Sequence, residues 1–459
     1  MTNDGSEALR RAAAHAQRHL AGMDLRGVAP TVGGAALIER LGRALPERGT
    51  DAAAVVDELA RAAEGGLMGS GTGRFFAWVI GGAVESSVAA DWLVSAWDQN
   101  AALAVTSPFA AAVEEVVGGW LLELLDLPRD ASFALTTGCQ MAHATCLAAA
   151  RGALLSGEGW DVEEDGLAGA PRLRVLTSAA RHGSVDRAVR LLGLGRRALE
   201  VVDGDDHGRL DAAALRAALD RGGPAVVVLA AGEINTGACD DFERLVPIAK
   251  ERGAWVHVDG AFGLIARAGR SCAHLLEGVD GADSWASDAH KWLNVPFDCG
   301  LAFVRDRAAH RAAMTGGGAY VASSEEVRDQ IDWNTEWSRR ARAVPLYAAL
   351  RELGREGVAA MLDRSCERAA ALARGLGEIE GVEVLVEPVM NQFVFRAAGE
   401  GDLDRRTHEL MERINASGEA YFSGTVWRGV RAIRVSVVNF RTSEEDVART
   451  LAAVREAAS

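Results

Sequence analysis

The sequence predicts an α/β protein: a mostly parallel sheet of seven strands, followed by a smaller C-terminal α+β unit. Three observations predict it. Between about residues 71 and 315, apolar runs of strand length alternate with helix-length stretches. The runs are apolar throughout, as expected of strands covered on both faces by helices. At 459 residues, 49% hydrophobic and 25% charged, the chain is long enough for two or three domains and a core that needs no staples.

Residues 1–70 read as a helical arm. Leu37, Leu41 and Leu45 recur every fourth position and Val55, Val56, Leu59 and Ala60 continue the stripe, until Gly65-Gly66 and Gly69–Gly73 open a loop. Such an arm packs either on a partner subunit or on its own core. The large domain is expected over 71–336. Its strand candidates are 133–136, 174–177, 198–202, 225–230, 255–258, 284–287 and 301–304. Helices are expected at 141–155, 184–192, 211–220, 242–252 and 272–277. A glycine-rich segment, 316–336, reads as a mobile loop, and a long helix is expected over 339–376. In the small domain, 337–459, strands are expected at 382–386, 392–395 and 431–437 and helices at 403–417 and 443–458. The last helix carries a capping-box pattern, Ser443 with Asp446.

The formal net charge of −15 argues against general binding to nucleic acid or anionic membranes, because phosphates would be repelled. It leaves room for a local cationic pocket. The six cysteines stand singly, with no C-x-x-C pair, so neither a zinc ribbon nor a disulfide framework is expected. The first 26 residues have no apolar core of signal-peptide type, and the longest apolar runs are far short of a membrane span. A soluble, cytoplasmic protein is expected.

In open α/β sheets ligands collect beyond the carboxyl ends of the strands. Three strand ends carry ionisable groups there. Trp255-Val-His-Val-Asp259-Gly-Ala261 ends in a carboxylate followed by small residues. Ser284-Trp-Ala-Ser287-Asp-Ala-His290-Lys291-Trp292 ends in His-Lys, and Arg174–Ser178 runs into Arg181-His182-Gly183-Ser184.

These strings resemble those of the group II pyridoxal-phosphate-dependent amino-acid decarboxylases, the aromatic-amino-acid and glutamate decarboxylases among them. Ser287–Gly300 is similar to their cofactor-lysine segment and His257–Gly263 to their pyridine-nitrogen motif. Thr136-Thr-Gly-Cys-Gln-Met-Ala-His-Ala-Thr-Cys146 resembles their phosphate turn, and Gly232–Asp240 their next cofactor-side loop. The motifs stand in matching order across roughly residues 70–455. The resemblance implies fold type I of the PLP-dependent transferases, pyridoxal 5′-phosphate as cofactor and a homodimer whose active site forms at the subunit interface.

It also implies roles. Lys291 would hold the cofactor as an imine; a strand-end lysine without this context is usually a salt-bridge partner. Asp259 would keep the pyridine nitrogen protonated, its bland alternative being a helix cap. His182 would stack on the ring and His290 reach the phosphate, although lone histidines are commonly structural or simply exposed. Gly138, Cys139 and Gln140 would offer helix-terminal amides to the phosphate. The Cys-Gln pair departs from the small residues usual in the family and puts the side-chain contacts in question. Asn235 and Thr236 would touch the ring hydroxyl or phosphate, with turn chemistry an equal explanation; Ala261 and Ser287 complete the cofactor set.

The implied reaction is α-decarboxylation of an amino acid to an amine and carbon dioxide. Arg434 resembles a small-domain arginine that pairs with the substrate carboxylate; a strand arginine facing solvent is the alternative. Phe75, Phe76, Trp78 and Ile80 resemble the substrate-pocket wall, though aromatics there are as readily core. Family members return the proton from a loop tyrosine. Of three tyrosines only Tyr320 lies in the loop, while the family position falls near Gln330. A neutral hydrophobic or aromatic amino acid is the expected substrate. Without a tyrosine, aldehyde-forming oxidative deamination, transamination or carbon–carbon lysis gains ground; a non-catalytic binding protein is the reading of another class.

Overall fold

The computed structural model describes residues 5–316 and 327–459. Strands β1 (Ser132–Thr136), β2 (Arg174–Ser178), β3 (Leu199–Val202), β4 (Ala225–Ala230), β5 (Trp255–Asp259), β6 (Ser284–Asp288) and β7 (Gly300–Val304) form one sheet in the order β1-β7-β6-β5-β4-β2-β3. β7 runs antiparallel to both β1 and β6, and the other neighbours pair parallel. The expected mostly parallel sheet of seven strands is therefore present.

Alternation along each strand sends side chains to two layers. On β7, Leu301 and Phe303 pack with Val117, Leu121, Val256 and Trp285 on one face. Ala302 and Val304 pack on the other with Ala134, Val226 and Ala286 beneath the Cys139–Gly157 helix. Small residues on that second face let the helix approach closely. Its own alanines (142, 144, 148, 149 and 150) are buried, which is how an apolar helix without a polar side is satisfied.

The C-terminal sheet is antiparallel: β8 (Val382–Val386), β9 (Gln392–Ala397), β10 (Ser423–Trp427) and β11 (Val430–Ser436), in the order β10-β11-β9-β8. Helices Leu403–Ser417 and Glu444–Ala458 cover it, and the expected capping box between Ser443 and Asp446 is formed. β10 was not foreseen. Its signal is a two-residue hairpin in which Trp427 pairs with Val430 and Arg428 and Gly429 both take positive φ, 50° and 84°.

Other expectations are corrected. The helix predicted over 272–277 is only a 3₁₀ turn, Ala273–Leu276. The long helix starts later, at Ala343, and is interrupted at Gly354, whose φ of 60° no continuing α-helix allows. The end of the predicted mobile loop is packed: Gln330 and Ile331 are buried in a 3₁₀ turn, and Ile331 N–H donates to the Ala102 carbonyl. Tyr320 lies outside the described residues. In the arm, Leu41 and Leu45 stay exposed, so their stripe does not pack on this chain's own core.

Candidate active site

The carboxyl ends of β4, β5 and β6 lie side by side, with Ala230 opposite Asp259 and Asp259 opposite Ala286. Beyond them opens a cavity of about 200 Å³. Among its lining residues are Asp259, Ala261, Lys291, His182, Arg434 and Trp78, so six side chains scattered over the sequence meet in one cleft. Arg434 arrives from β11, which places one wall of the cleft on the small sheet.

Lys291 sits in the short Ala289–Trp292 helix that follows β6. Its Nζ lies 3.1 Å from Asp288 Oδ2. Burial works to lower the lysine pKa, but the charges of Asp288 and, further off, Asp259 outweigh it, and the net direction is upward. The backbone here is held by Asn294, itself in the left-handed region at φ 53°. Asn294 Oδ1 accepts from Gly82 and Phe440 N–H at 3.0 Å each, and its Nδ2 donates to the Trp292 and Val438 carbonyls. One side chain thus joins the lysine turn, the pocket wall and the small domain. Gly81 passes so close that a Cβ would run into the Lys291 carbonyl.

Asp259 is nearly buried at the end of β5. Burial works to raise its carboxyl, yet the neighbouring His143, with His182 and Lys291 further round, holds it well below the usual carboxylate range. His182 caps the Gly183–Leu191 helix, its Nδ1 accepting from Ser184 N–H at 3.2 Å. Arg434 is buried, its pKa lowered by burial with only Glu233 opposing, and its Nε has no hydrogen-bond partner. A buried cation with an idle donor at a cavity wall suits an anionic ligand. On that observation, with Lys291 and Asp259 facing the same space, the residues fit pyridoxal phosphate and an amino acid beside it.

The residues expected at the phosphate end divide. His290 and Gly138 are adjacent: a Cβ on Gly138 would meet His290 Cε1 at 3.6 Å. His290 Nδ1 accepts from Cys299 N–H at 3.0 Å, which leaves Nε2 as its donor, 3.5 Å from Asp288 Oδ1. Cys139 is a correction. Its N–H donates to Asp288 Oδ1 at 2.6 Å and its Sγ turns to His143, because the helix begins at Cys139 rather than at Met141. Gln140 is engaged by Arg187 at 3.2 Å.

Five other candidates are corrected. Asn235 and Thr236 serve the turn: with their backbone amides they donate to the Glu233 carboxylate, and Glu233, not they, lines the cavity. Ser287 shares the parity of Trp285 and so faces the layer away from the Cys139–Gly157 helix. Phe76 is core, stacked on Phe422 at 5.3 Å, and Ile80 packs in a satellite cluster outside the cavity. Trp78 does line the cavity, and it and Val79 take positive φ, 54° and 57°. That is strain of a kind that collects at functional sites.

Sequence reasoning missed Asp288, Glu233 and His143. Asp288 had a signal, standing three residues before Lys291, one helical turn away. Glu233 and His143 had only their places inside quoted motifs.

The family model described as the pyridoxal-dependent decarboxylase conserved domain matches residues 35–398. The chain is 30% identical over 428 residues to an L-2,4-diaminobutyrate decarboxylase of Rhizobium meliloti (strain 1021), covering 90% of this chain and 83% of the relative. Over 451 residues it is 26% identical to an aromatic-L-amino-acid decarboxylase of Bacillus atrophaeus, covering 95% and 92%. Among solved structures it resembles that of Oryza sativa TDC with PLP and tryptamine, with a TM-score of 0.93 at 25% identity, covering 100% of this chain and 98% of that one. The cleft, its lysine and carboxylate, and these likenesses agree: the chain belongs to the pyridoxal-dependent decarboxylases, enzymes that use pyridoxal 5′-phosphate to release carbon dioxide from an amino acid.

Proposed function

We propose that this enzyme decarboxylates a neutral aromatic or hydrophobic L-amino acid, with Lys291 holding the cofactor and Asp259 keeping its ring nitrogen protonated. The observation that carries the reading is the convergence of Lys291, Asp259 and the idle Arg434 guanidinium on one cleft. When bound, the cofactor supplies the electron-accepting ring that takes up the electron pair left by the departing carboxylate. His182 would lie over the cofactor ring, while Gly138 and His290 would hold the phosphate. Arg434 would pair with the substrate carboxylate and so orient the bonds at the α-carbon. Trp78, Val79, Ile234 and Phe262 wall the cleft with apolar surface that excludes water and favours an apolar side chain. Besides Asp259 the cleft is lined by two carboxylates, Glu233 and Asp240, and both oxygens of each already accept hydrogen bonds from this chain, which leaves neither to recruit a substrate amine. Tyr320 is the residue proposed to return a proton to the α-carbon.

A homodimer is part of this reading. Helices Glu85–Trp97 and Pro108–Leu124 leave Trp92, Leu93, Trp97, Phe109 and Val116 exposed, an apolar surface suited to a second copy. A reducing cytoplasm agrees with six cysteines that are all free, and among the described residues no helix is long and apolar enough to cross a membrane.

The test is product analysis of the protein loaded with pyridoxal phosphate and offered each of the twenty amino acids. An aromatic or aliphatic amine with matching carbon dioxide and no oxygen uptake is expected. A diamine as sole product overturns the substrate class; an aldehyde with oxygen consumed overturns the reaction. Lys291→Ala is expected to abolish both turnover and the visible absorption of bound cofactor. Dilution until monomers prevail is expected to abolish turnover, and a fully active monomer refutes the shared site.

A further inference from the structure

Behind the Asp259 carboxylate lies a run of buried polar groups with no part in the chemistry described so far. His143, fully buried on the Cys139–Gly157 helix, places Nε2 3.5 Å from Asp259 Oδ1 and 3.4 Å from Cys139 Sγ. Its Nδ1 lies 2.8 Å from Nε2 of His257, another fully buried ring, met nearly edge-on at 81°. His257 Nδ1 is 2.9 Å from Ser284 Oγ, which also accepts from Trp255 Nε1–H at 2.9 Å.

The donors can be assigned in sequence. An ionised carboxylate only accepts, so His143 Nε2 carries a hydrogen toward Asp259. His143 then accepts at Nδ1 from His257 Nε2–H, and His257 Nδ1 accepts from the Ser284 hydroxyl. Ser284 keeps a lone pair for Trp255. Every donor is used and all point toward Asp259. Burial holds His257 neutral, its pKa pushed down to about 3. Two fully buried imidazoles, one edge-on to the other, are an expensive way to fill a core that Leu or Phe would fill better.

We propose that His143, oriented by His257 and Ser284, is a positioning residue that keeps Asp259 ionised and aimed at the cofactor's ring nitrogen. This rests on the reading that Asp259 faces that nitrogen. The other titratable or charged groups around the pair are Cys139 on the same helix, His182 from the cavity side, and Lys291 with its partner Asp288.

The test uses the full chain reconstituted with pyridoxal phosphate and reads cofactor affinity and the pH midpoint of the bound cofactor's visible absorption. A ring that loses its proton withdraws electrons less, so the nitrogen joining it to Lys291 keeps its own proton to higher pH. His143→Leu is expected to weaken cofactor binding roughly tenfold and raise that midpoint by about one pH unit, a typical worth for one buried charge contact. His143→Gln, whose amide can still donate, is expected to recover most of both. His257→Leu and Ser284→Ala shift the midpoint the same way by less. The double variant His143→Leu/His257→Leu is expected to be no worse in midpoint than His143→Leu alone, because His257 acts through His143. An unmoved midpoint in His143→Leu, or additive shifts in the double variant, overturns the proposal. Should His143→Leu not fold, unmoved midpoints in both His257→Leu and Ser284→Ala overturn it. Asp259→Asn is run beside them. If it leaves the midpoint unmoved, the placement of Asp259 fails; if it moves the midpoint and the histidine variants do not, only the relay fails.

Discussion

Arg434 shows what a single residue contributes when its surroundings are incomplete. A buried guanidinium with an unpartnered Nε and no ion pair costs desolvation that Glu233 offsets only in part. Arg434→Leu is therefore expected to raise KM ten- to a hundredfold, the worth of a charge-assisted pair at about 1.5–3 kcal/mol, with a smaller fall in kcat. The same variant, without cofactor or substrate, is expected to unfold at the same or higher denaturant concentration than the parent. A loss of stability with KM unchanged makes Arg434 a structural residue. Legibility at this scale followed local chemistry. Lys291, Asp259 and His182 could be named because each stands at a strand end or in a motif whose residue type has few other uses there, whereas Arg434, inside β11, was named through the family resemblance alone. Cys139, Asn235, Thr236 and Ser287 were misplaced because a side chain's direction depends on one-residue differences in where a helix begins or which layer a strand faces.

At the scale of elements, the ion pair between Glu114 and Arg339 is the fastener most exposed to test. Both side chains are buried; Arg339 donates to both Glu114 oxygens at 3.0 and 3.2 Å and to the Ala101 and Leu135 carbonyls. It thus ties the Pro108–Leu124 helix to β1 and to the segment entering the long helix. Glu114→Ala leaves a buried cation unpaired and is expected to cost about 3–5 kcal/mol in denaturant melts. A loss under about 1 kcal/mol, within the range of exposed pairs, is the contrary result. Gly81→Ala is expected to distort the lysine turn, because the added methyl meets the Lys291 carbonyl; cofactor affinity should fall at least tenfold, at an order expected of a backbone shift in a first contact. Unchanged affinity shows that the turn can yield. The elements themselves were mostly legible, since apolar runs and helical periodicity are local. β10 was not, its core-facing pattern being short and interrupted by glycine, and the turn at Arg428-Gly429 was its only punctuation.

For the whole molecule, two histidines buried in its neutral state set the response to acid. His257 and His310 are fully buried, and burial pushes each pKa down to about 3. Below the ordinary histidine value of about 6.5 the unfolded chain takes up protons that the folded chain refuses. Stability is therefore complete above that value and falls with pH from about 6.5 toward 3, by roughly 2 kcal/mol per histidine at pH 5. Denaturant melts at pH 7.5 and pH 5 should show the loss, and His310→Asn should make it shallower whatever it does to stability at pH 7.5. A pH-independent midpoint refutes the assignment.

By itself the sequence determined the layered α/β architecture, the α+β tail, the cofactor lysine motif and the family to be expected, because periodicity, strand-end residue types and motif order are carried by the chain in one dimension. Only the tertiary structure decided that Asp288 rather than a phosphate holds the Cys139 amide, that Phe76 is core while Trp78 lines the cleft, and that His143 backs Asp259. Those are contacts between residues far apart in sequence, fixed by which layer each side chain enters and how closely the layers approach, and no local pattern encodes either.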